Sequence, residues 1–221
     1  MTERQIFAFL KSQGLSDAGV AGVMGNMFAE SGLNSQNLQN FYEKKLGYTD
    51  ASYTKAVDNG IYRNFASDKA GYGLCQWTYS TRKEALLAFA KTCGTSIGDA
   101  EMQLKFFVKE LREGYPAVLS VLKNATTVRE ASDAVLLKFE RPADQSEAVR
   151  AKRASYGQAY YNTLTGKETT MFTNSPLVSY TRISPNKTPN RNHAIDTVTI
   201  HCIVGQWTAK QGCDYFATTN R

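Results

Sequence analysis

Gly25-Asn26-Met27-Phe28-Ala29-Glu30-Ser31-Gly32-Leu33-Asn34 closes a run that begins at Ser16-Asp17-Ala18-Gly19-Val20. Ser16 is a good N-cap, since its hydroxyl can accept from a free N–H of the first turn. Val20, Val23, Met24 and Met27 then recur at helical spacing and mark a core-facing stripe. Glu30 lies three residues past Met27 and seven past Val23, along the edge of that stripe, and Gly32 is placed to stop the helix. A carboxyl held against apolar surface loses hydration, so its charged form is disfavoured and its pKa is expected to rise. That is what a general acid working near neutral pH requires. The same position also suits an ordinary Glu at a frayed helix end facing water.

Outward from this helix the pattern is mostly helical. Residues 3–13 form a first helix, separated from residues 17–30 by Gly14. Thr81–Cys93 carries Ala85, Leu86 and Phe89 on one side, and Gly94 ends it. Asp99 caps a helix running to Leu111, Tyr115–Leu122 and Val128–Phe139 continue the pattern, and Pro142 stops the latter. Ser146–Leu164 is a last long helix with Val149, Tyr156, Tyr160 and Leu164 spaced for docking. Residues 34–70 are rich in Asn, Tyr, Asp and Gly and lack helical period, so loops and a small hairpin are expected there, with Asp58-Asn59-Gly60 as a turn. A helical body broken by one irregular, aromatic-bearing lobe suits a cleft, and a cleft suits a linear polymer.

Three segments carry a resemblance. Glu30-Ser31-x-x-Asn34, then Gly73-Leu74-x-Gln76, then Lys138-Phe139-Glu140-Arg141-Pro142-Ala143-Asp144 occur in order over about 165 residues. The first two are similar to the helix end and strand of lysozyme-like muramidases and lytic transglycosylases. Together the three resemble the phage tail-type lysozymes of virion lysins and endolysins. The resemblance implies a mainly α, lysozyme-like α+β domain over residues 1–166 with a small irregular or β lobe. It implies a peptidoglycan hydrolase that cleaves the β-1,4 bond between N-acetylmuramic acid and N-acetylglucosamine, with Glu30 protonating the glycosidic oxygen. Asp68, just before the strand expected over 70–76, is the better second carboxylate, and Asp58 the next. Both also read as solvated loop residues. Gly71 and Gly73 permit close approach of backbone to a sugar. Gln76 is placed to bond an N-acetyl group, and Trp77 or Tyr79 to stack on a pyranose, with core packing the other role for Trp77. Ser31 supports Glu30 or caps locally. Glu140 pairs with Arg141, orients the cleft, or takes part in catalysis itself.

Composition sets limits on this picture. A chain of 221 residues with 42% hydrophobic and 21% charged side chains is ordinary for a globular protein. It contains no run of eighteen apolar residues, so no spanning segment is expected. The start, Met1-Thr2-Glu3-Arg4-Gln5, lacks a signal-peptide pattern. The protein is thus expected to be made in a cytoplasm, and the resemblance to phage lysins implies a host bacterium's, with the wall reached through holin-assisted release or virion delivery. The four cysteines, Cys75, Cys93, Cys202 and Cys213, have no paired spacing and read as reduced thiols. The net charge of +6 divides into +3 over residues 1–166 and +3 over the last 55, favouring anionic polymers without choosing among them.

After Gly166 the composition shifts. Residues 167–178 read as a polar linker. Within 179–221, Ile195-Asp196-Thr197-Val198-Thr199-Ile200-His201 alternates as a strand. This segment resembles the opening of phage N-acetylmuramoyl-L-alanine amidases, in which His201 would be the first zinc ligand. The reading is of an incomplete, partial α/β amidase segment. A catalytic zinc needs three protein ligands, and only His193, His201, Cys202 and Cys213 are on offer. Zinc is therefore expected only with a complete amidase domain, and the glycosidase domain is expected to use no cofactor. A strand lacking its sheet is open to self-association.

Two rivals remain at this level. A lytic transglycosylase would form 1,6-anhydro ends, but the Ala-Tyr-Asn-Ala-Gly type run of that group is only echoed by Ala159-Tyr160-Tyr161-Asn162. A non-catalytic wall-binding module would bind without lysis. A helix-turn-helix reading of residues 3–30 fails because residues 17–30 contain no Lys or Arg to meet phosphate or guanine, so no nucleic-acid partner is expected.

Overall fold

The computed structural model describes residues 1–166. The linker read over 167–178, the amidase-like segment 179–221 and His201 lie outside the described residues. Nine α-helices occur among the described residues: α1 (Glu3–Ser12), α2 (Asp17–Ser31), α3 (Asn40–Leu46), α4 (Asp50–Asp58), α5 (Ser80–Cys93), α6 (Ala100–Gly114), α7 (Pro116–Asn124), α8 (Val128–Ala134) and α9 (Glu147–Thr165). A π turn, Val135–Glu140, follows α8 directly.

Helix α2 is the axis of the packing. Its residues from Ala18 to Met27 are all buried, so the expected one-sided stripe is in fact a helix without a polar face. It is covered by α1, α7, α8 and α9. Ser16 caps it by accepting from Gly19 N at 2.9 Å. Gly32 ends it in the left-handed conformation at φ 62°, where a side chain would be strained. Only after Met27 does α2 emerge from the core, and Glu30 sits on that emerging turn.

The close approach of α2 and α9 has a specific cause. A Cβ on Gly25 would stand 2.5 Å from both the Arg153 carbonyl oxygen and the Gly157 amide nitrogen, and one on Gly157 would stand 2.6 Å from the Ala21 carbonyl oxygen. The two glycines face each other and let the two backbones touch, at a helix-propensity cost of about 1 kcal/mol each. Contact this close is what brings the α9 side chains within reach of the end of α2.

Residues 34–70 depart from expectation. They hold α3 and α4 between the expected loops, with no hairpin, and Asp58-Asn59-Gly60 ends α4 instead of turning a strand. The reason is local capping. Thr49 and Ser52 form a reciprocal capping box that starts α4 without a strong apolar period. No strand occurs among the described residues. The expected 70–76 strand and β lobe reduce to two isolated bridges, Leu38 with Tyr72 and Tyr72 with Trp77. Tyr72 and Trp77 exchange both backbone hydrogen bonds, at 3.2 and 2.9 Å, and close a tight loop that Gly73 (φ 74°) and Gln76 (φ 46°) turn.

Gly25→Ala is expected to lower stability by about 1–3 kcal/mol, because the added methyl meets backbone that cannot rotate away. Urea denaturation measures this, and a change within error would mean the α2–α9 contact is looser than described.

Candidate active site

The end of α2, the 71–79 segment, the start of α5 and the end of the π turn surround a cleft of about 510 Å³. Glu30, Gln39, Gln76, Tyr79, Arg82 and Glu140 are among its lining residues. Of the residues singled out from sequence, Glu30, Gly71, Gln76, Tyr79 and Glu140 meet here.

Two carboxylates share one guanidinium. Arg153 Nη2 donates to Glu30 Oε1 at 2.5 Å, and Arg153 Nη1 donates to Glu140 Oε2 at 2.5 Å. The pairing of Glu140 with Arg141 expected from sequence is replaced by this one. The π turn is the reason: its wider backbone turn re-aims the last side chains, and Arg141 leaves it in the left-handed region at φ 52°. Glu140 is buried, its side chain 5% exposed, and its Oε1 has no hydrogen-bond partner among the described residues. Burial, with the nearby charge of Glu30, pushes the Glu140 carboxyl up to about 8 against the pull of Arg153 and Arg82. Glu30 is less covered, its side chain 20% exposed. Glu30 lines the cleft with its Oε1 held on Arg153.

Arg153 is itself held from below. Asn26, fully buried in α2, receives Arg153 Nη1 on its Oδ1 at 3.3 Å. Its Nδ2 donates to the Gly22 and Ser132 carbonyl oxygens. Neither Arg153 nor Asn26 was selected from sequence. Asn26 did leave a signal, as a lone amide one turn before Glu30 in a helix otherwise apolar. Arg153 left none, since its role exists only once α9 crosses α2.

The opposite wall is equally fixed. Arg82 makes a two-point ion pair with Glu110, through Nε at 2.7 Å and Nη2 at 2.8 Å, and lies 4.6 Å from the centre of the Phe139 ring. Gln76 commits its Nε2 to Asn37 and the Gly73 carbonyl, and its Oε1 lies over Gly71 where a Cβ would be. That leaves Oε1 as the amide's acceptor toward the cleft. Tyr79 stands at the rim, 72% exposed.

Other sequence candidates lie elsewhere. Trp77 is fully buried, packs edge-on against Phe106 and donates from Nε1 to Glu110 at 2.8 Å, so it is a core residue. Gly73 backs onto the buried Gln103 amide and not onto the cleft, since a Cβ there would lie 2.6 Å from Gln103 Oε1. Ser31 Oγ lies within bonding distance of the Met27 and Leu74 carbonyl oxygens, tying α2 to the loop beneath the cleft. Asp58 accepts from Ser96 Oγ and Ile97 N. Asp68 is not among the cleft-lining residues. Its side chain is 2% exposed and accepts from Lys83 Nζ at 2.6 Å, Tyr53 Oη at 2.5 Å and Ala70 N at 2.9 Å. Burial lowers the Lys83 pKa while Asp68 opposes that shift. The cysteines Cys75 and Cys93 are both unbridged.

Asp68→Asn is therefore expected to cost about 3–5 kcal/mol of stability by stranding a buried ammonium, with less loss at alkaline pH where Lys83 can shed its proton. Turnover per folded molecule should be unchanged. A fully folded but inactive variant would return Asp68 to the catalytic set.

Residues 1–164 match the family model described as phage tail lysozyme. "Morphogenesis protein 1" of Bacillus phage B103 is 26% identical over 172 residues, covering 75% of this chain and 40% of that protein. The chain thus spans well under half the length of this curated relative.

Proposed function

The chain belongs to the phage tail lysozyme family, and from that premise we propose that its 1–166 domain hydrolyses the β-1,4 bond between N-acetylmuramic acid and N-acetylglucosamine in peptidoglycan. The observation that carries the reading is the pair of carboxyls, Glu30 and Glu140, on one guanidinium at the cleft. One positive charge serves two acids, so the pair retains a proton near neutral pH, and that proton belongs to the pair as a whole. In the open cleft, burial favours placing it on Glu140. Glu30, the less covered of the two, is the carboxyl that a glycan in the cleft reaches, so the pair's proton leaves through it. Glu30 then protonates the glycosidic oxygen. Positive charge developing at the anomeric carbon is balanced by the carboxylate pair, and a water adds to that carbon, its released proton returning to the pair.

Gln76 Oε1 offers an acceptor for an acetamido N–H, and Tyr79 a ring for a pyranose face. None of these steps calls on a cofactor. The place of action is the bacterial wall, reached by virion delivery or with holin assistance. Among the described residues no helix is long and apolar enough to cross a membrane.

Digestion of purified peptidoglycan, followed by mass spectrometry of the products, tests the reaction. Reducing muramic ends are expected, with the rate falling roughly 100- to 10,000-fold in Glu30→Gln. Anhydro-muramic ends would move the protein to the transglycosylases. An intact glycan despite binding would make it a wall-binding module.

The pH profile tests the pair. A carboxyl raised to about 8 is an available acid below that pH and is lost above it, so the rate should fall as pH rises through about 8. Glu140→Gln leaves Arg153 one carboxylate where it had two, the reason to hold the proton goes, and the alkaline limb should retreat to lower pH. An alkaline limb that stays in place would remove Glu140 from the proton-sharing pair.

A further inference from the structure

Gln39 is both the edge of the cleft and the start of a second surface. Its backbone N–H donates to the Gly71 carbonyl at 2.9 Å, and its Oε1 accepts from Gly71 N at 3.1 Å, which fixes it to the loop carrying Gln76. Helix α3 begins at the next residue, and Asn40, Phe41, Glu43, Lys44 and Lys45 line an open depression of about 740 Å³. Phe41 is 70% exposed, although burying such a ring is ordinarily favourable by about 2 kcal/mol. The Lys45 ammonium lies 5.0 Å from the Tyr42 ring centre and 6.0 Å from that of Phe41. Neither Lys44 nor Lys45 forms an ion pair among the described residues, whereas Lys11, Lys83, Lys105 and Lys109 do. The shelf thus presents an exposed aromatic ring and two ammonium groups beside the single carboxylate of Glu43, and it adjoins the cleft in the chain at the Gln39–Asn40 peptide bond.

We propose that this shelf is a subsite for the carboxylates of the stem peptides that project from the glycan strand bound in the cleft, with Lys44 and Lys45 taking the charge and Phe41 the apolar peptide side chains. This rests on the peptidoglycan reading above. Charge complementarity selects the occupant: stem peptides carry free carboxylates at a short distance from the sugar backbone, whereas the sugars of the glycan are neutral. Wall phosphates are the other anionic source, and the test separates them.

Binding is measured in a Glu30→Gln background of the full chain, so that no cleavage intervenes, by co-sedimentation with purified walls. Lys44→Glu/Lys45→Glu should weaken binding about tenfold at low salt, and Phe41→Ala several-fold. Walls stripped of phosphate by hydrofluoric acid should preserve that difference. Walls whose carboxylates have been amidated with carbodiimide should abolish it. These surface substitutions should leave the melting temperature unchanged, as well as turnover of a short peptide-free glycan by the otherwise wild-type enzyme. Equal binding by the parent and the double variant would overturn the proposal, as would a difference that survives amidation or disappears with the phosphate. Loss of cleavage in the wild type with the carboxylate-dependent binding retained would instead count against the hydrolase reading alone.

Discussion

A guanidinium buried between two carboxylates imposes the main constraint on this fold. Arg153 is only 9% exposed, and an arginine removed from water is tolerated only when its donors are matched. Its donors here reach Glu30, Glu140 and Asn26, which come from the end of α2, the end of the π turn and the middle of α2. Two separate stretches of chain, α2 and the π turn, must therefore converge on one side chain of α9. The facing glycines, Gly25 and Gly157, make that geometry available, because any side chain at either would push α9 outward and withdraw the guanidinium. Packing at the glycines and electrostatics at the cleft are thus two consequences of one helix crossing.

The second wall follows a similar logic with different chemistry. The 71–77 loop has no sheet to hold it, so side chains supply what a ladder would. Gln103 caps Leu74 N, Ser31 reaches the Leu74 carbonyl, and Glu110 gathers Trp77 and Arg82. Because each of these partners lies in a helix of the body, the loop inherits rigidity from α2, α5 and α6. A site built this way is shaped before substrate arrives, so little of its binding energy need go into ordering the loop.

Signals that act within one turn of chain were legible in the sequence. Ser16 and Asp99 cap the helices they were read to cap, and Gly32 and Gly94 end theirs. Glu30 at the helix end and Gln76 in the loop were found through their motifs, and both line the cleft. What could not be read depends on partners distant in sequence. Trp77 carries the same ring whether it faces sugar or core, and only the Glu110 carboxylate 33 residues away decides the matter. Asp68 has the look of a loop acid until Lys83 and Tyr53 enclose it. Helices α3 and α4 were missed because their polar, capped sequences carry little period, while the π turn has no sequence code of its own. Arg153 is the extreme case: 123 residues separate it from Glu30.

The unpartnered Glu140 Oε1 shows how stability and chemistry are opposed at this site. An ionised carboxylate with a buried, unbonded oxygen costs free energy, and protonation relieves most of that cost. Since its folded value is raised above that of the unfolded chain, the folded state binds the extra proton between those two values, and this contribution to stability is lost as pH rises through about 8. A second cation beside Oε1 would remove the penalty, and it would also remove the reason for the pair to keep its proton. Replacing Glu140 by an apolar residue would leave Arg153 to Glu30 alone. The arrangement therefore holds one charge too few, and that shortage is what makes an acid available in a cleft whose nearest cation would otherwise strip it of its proton.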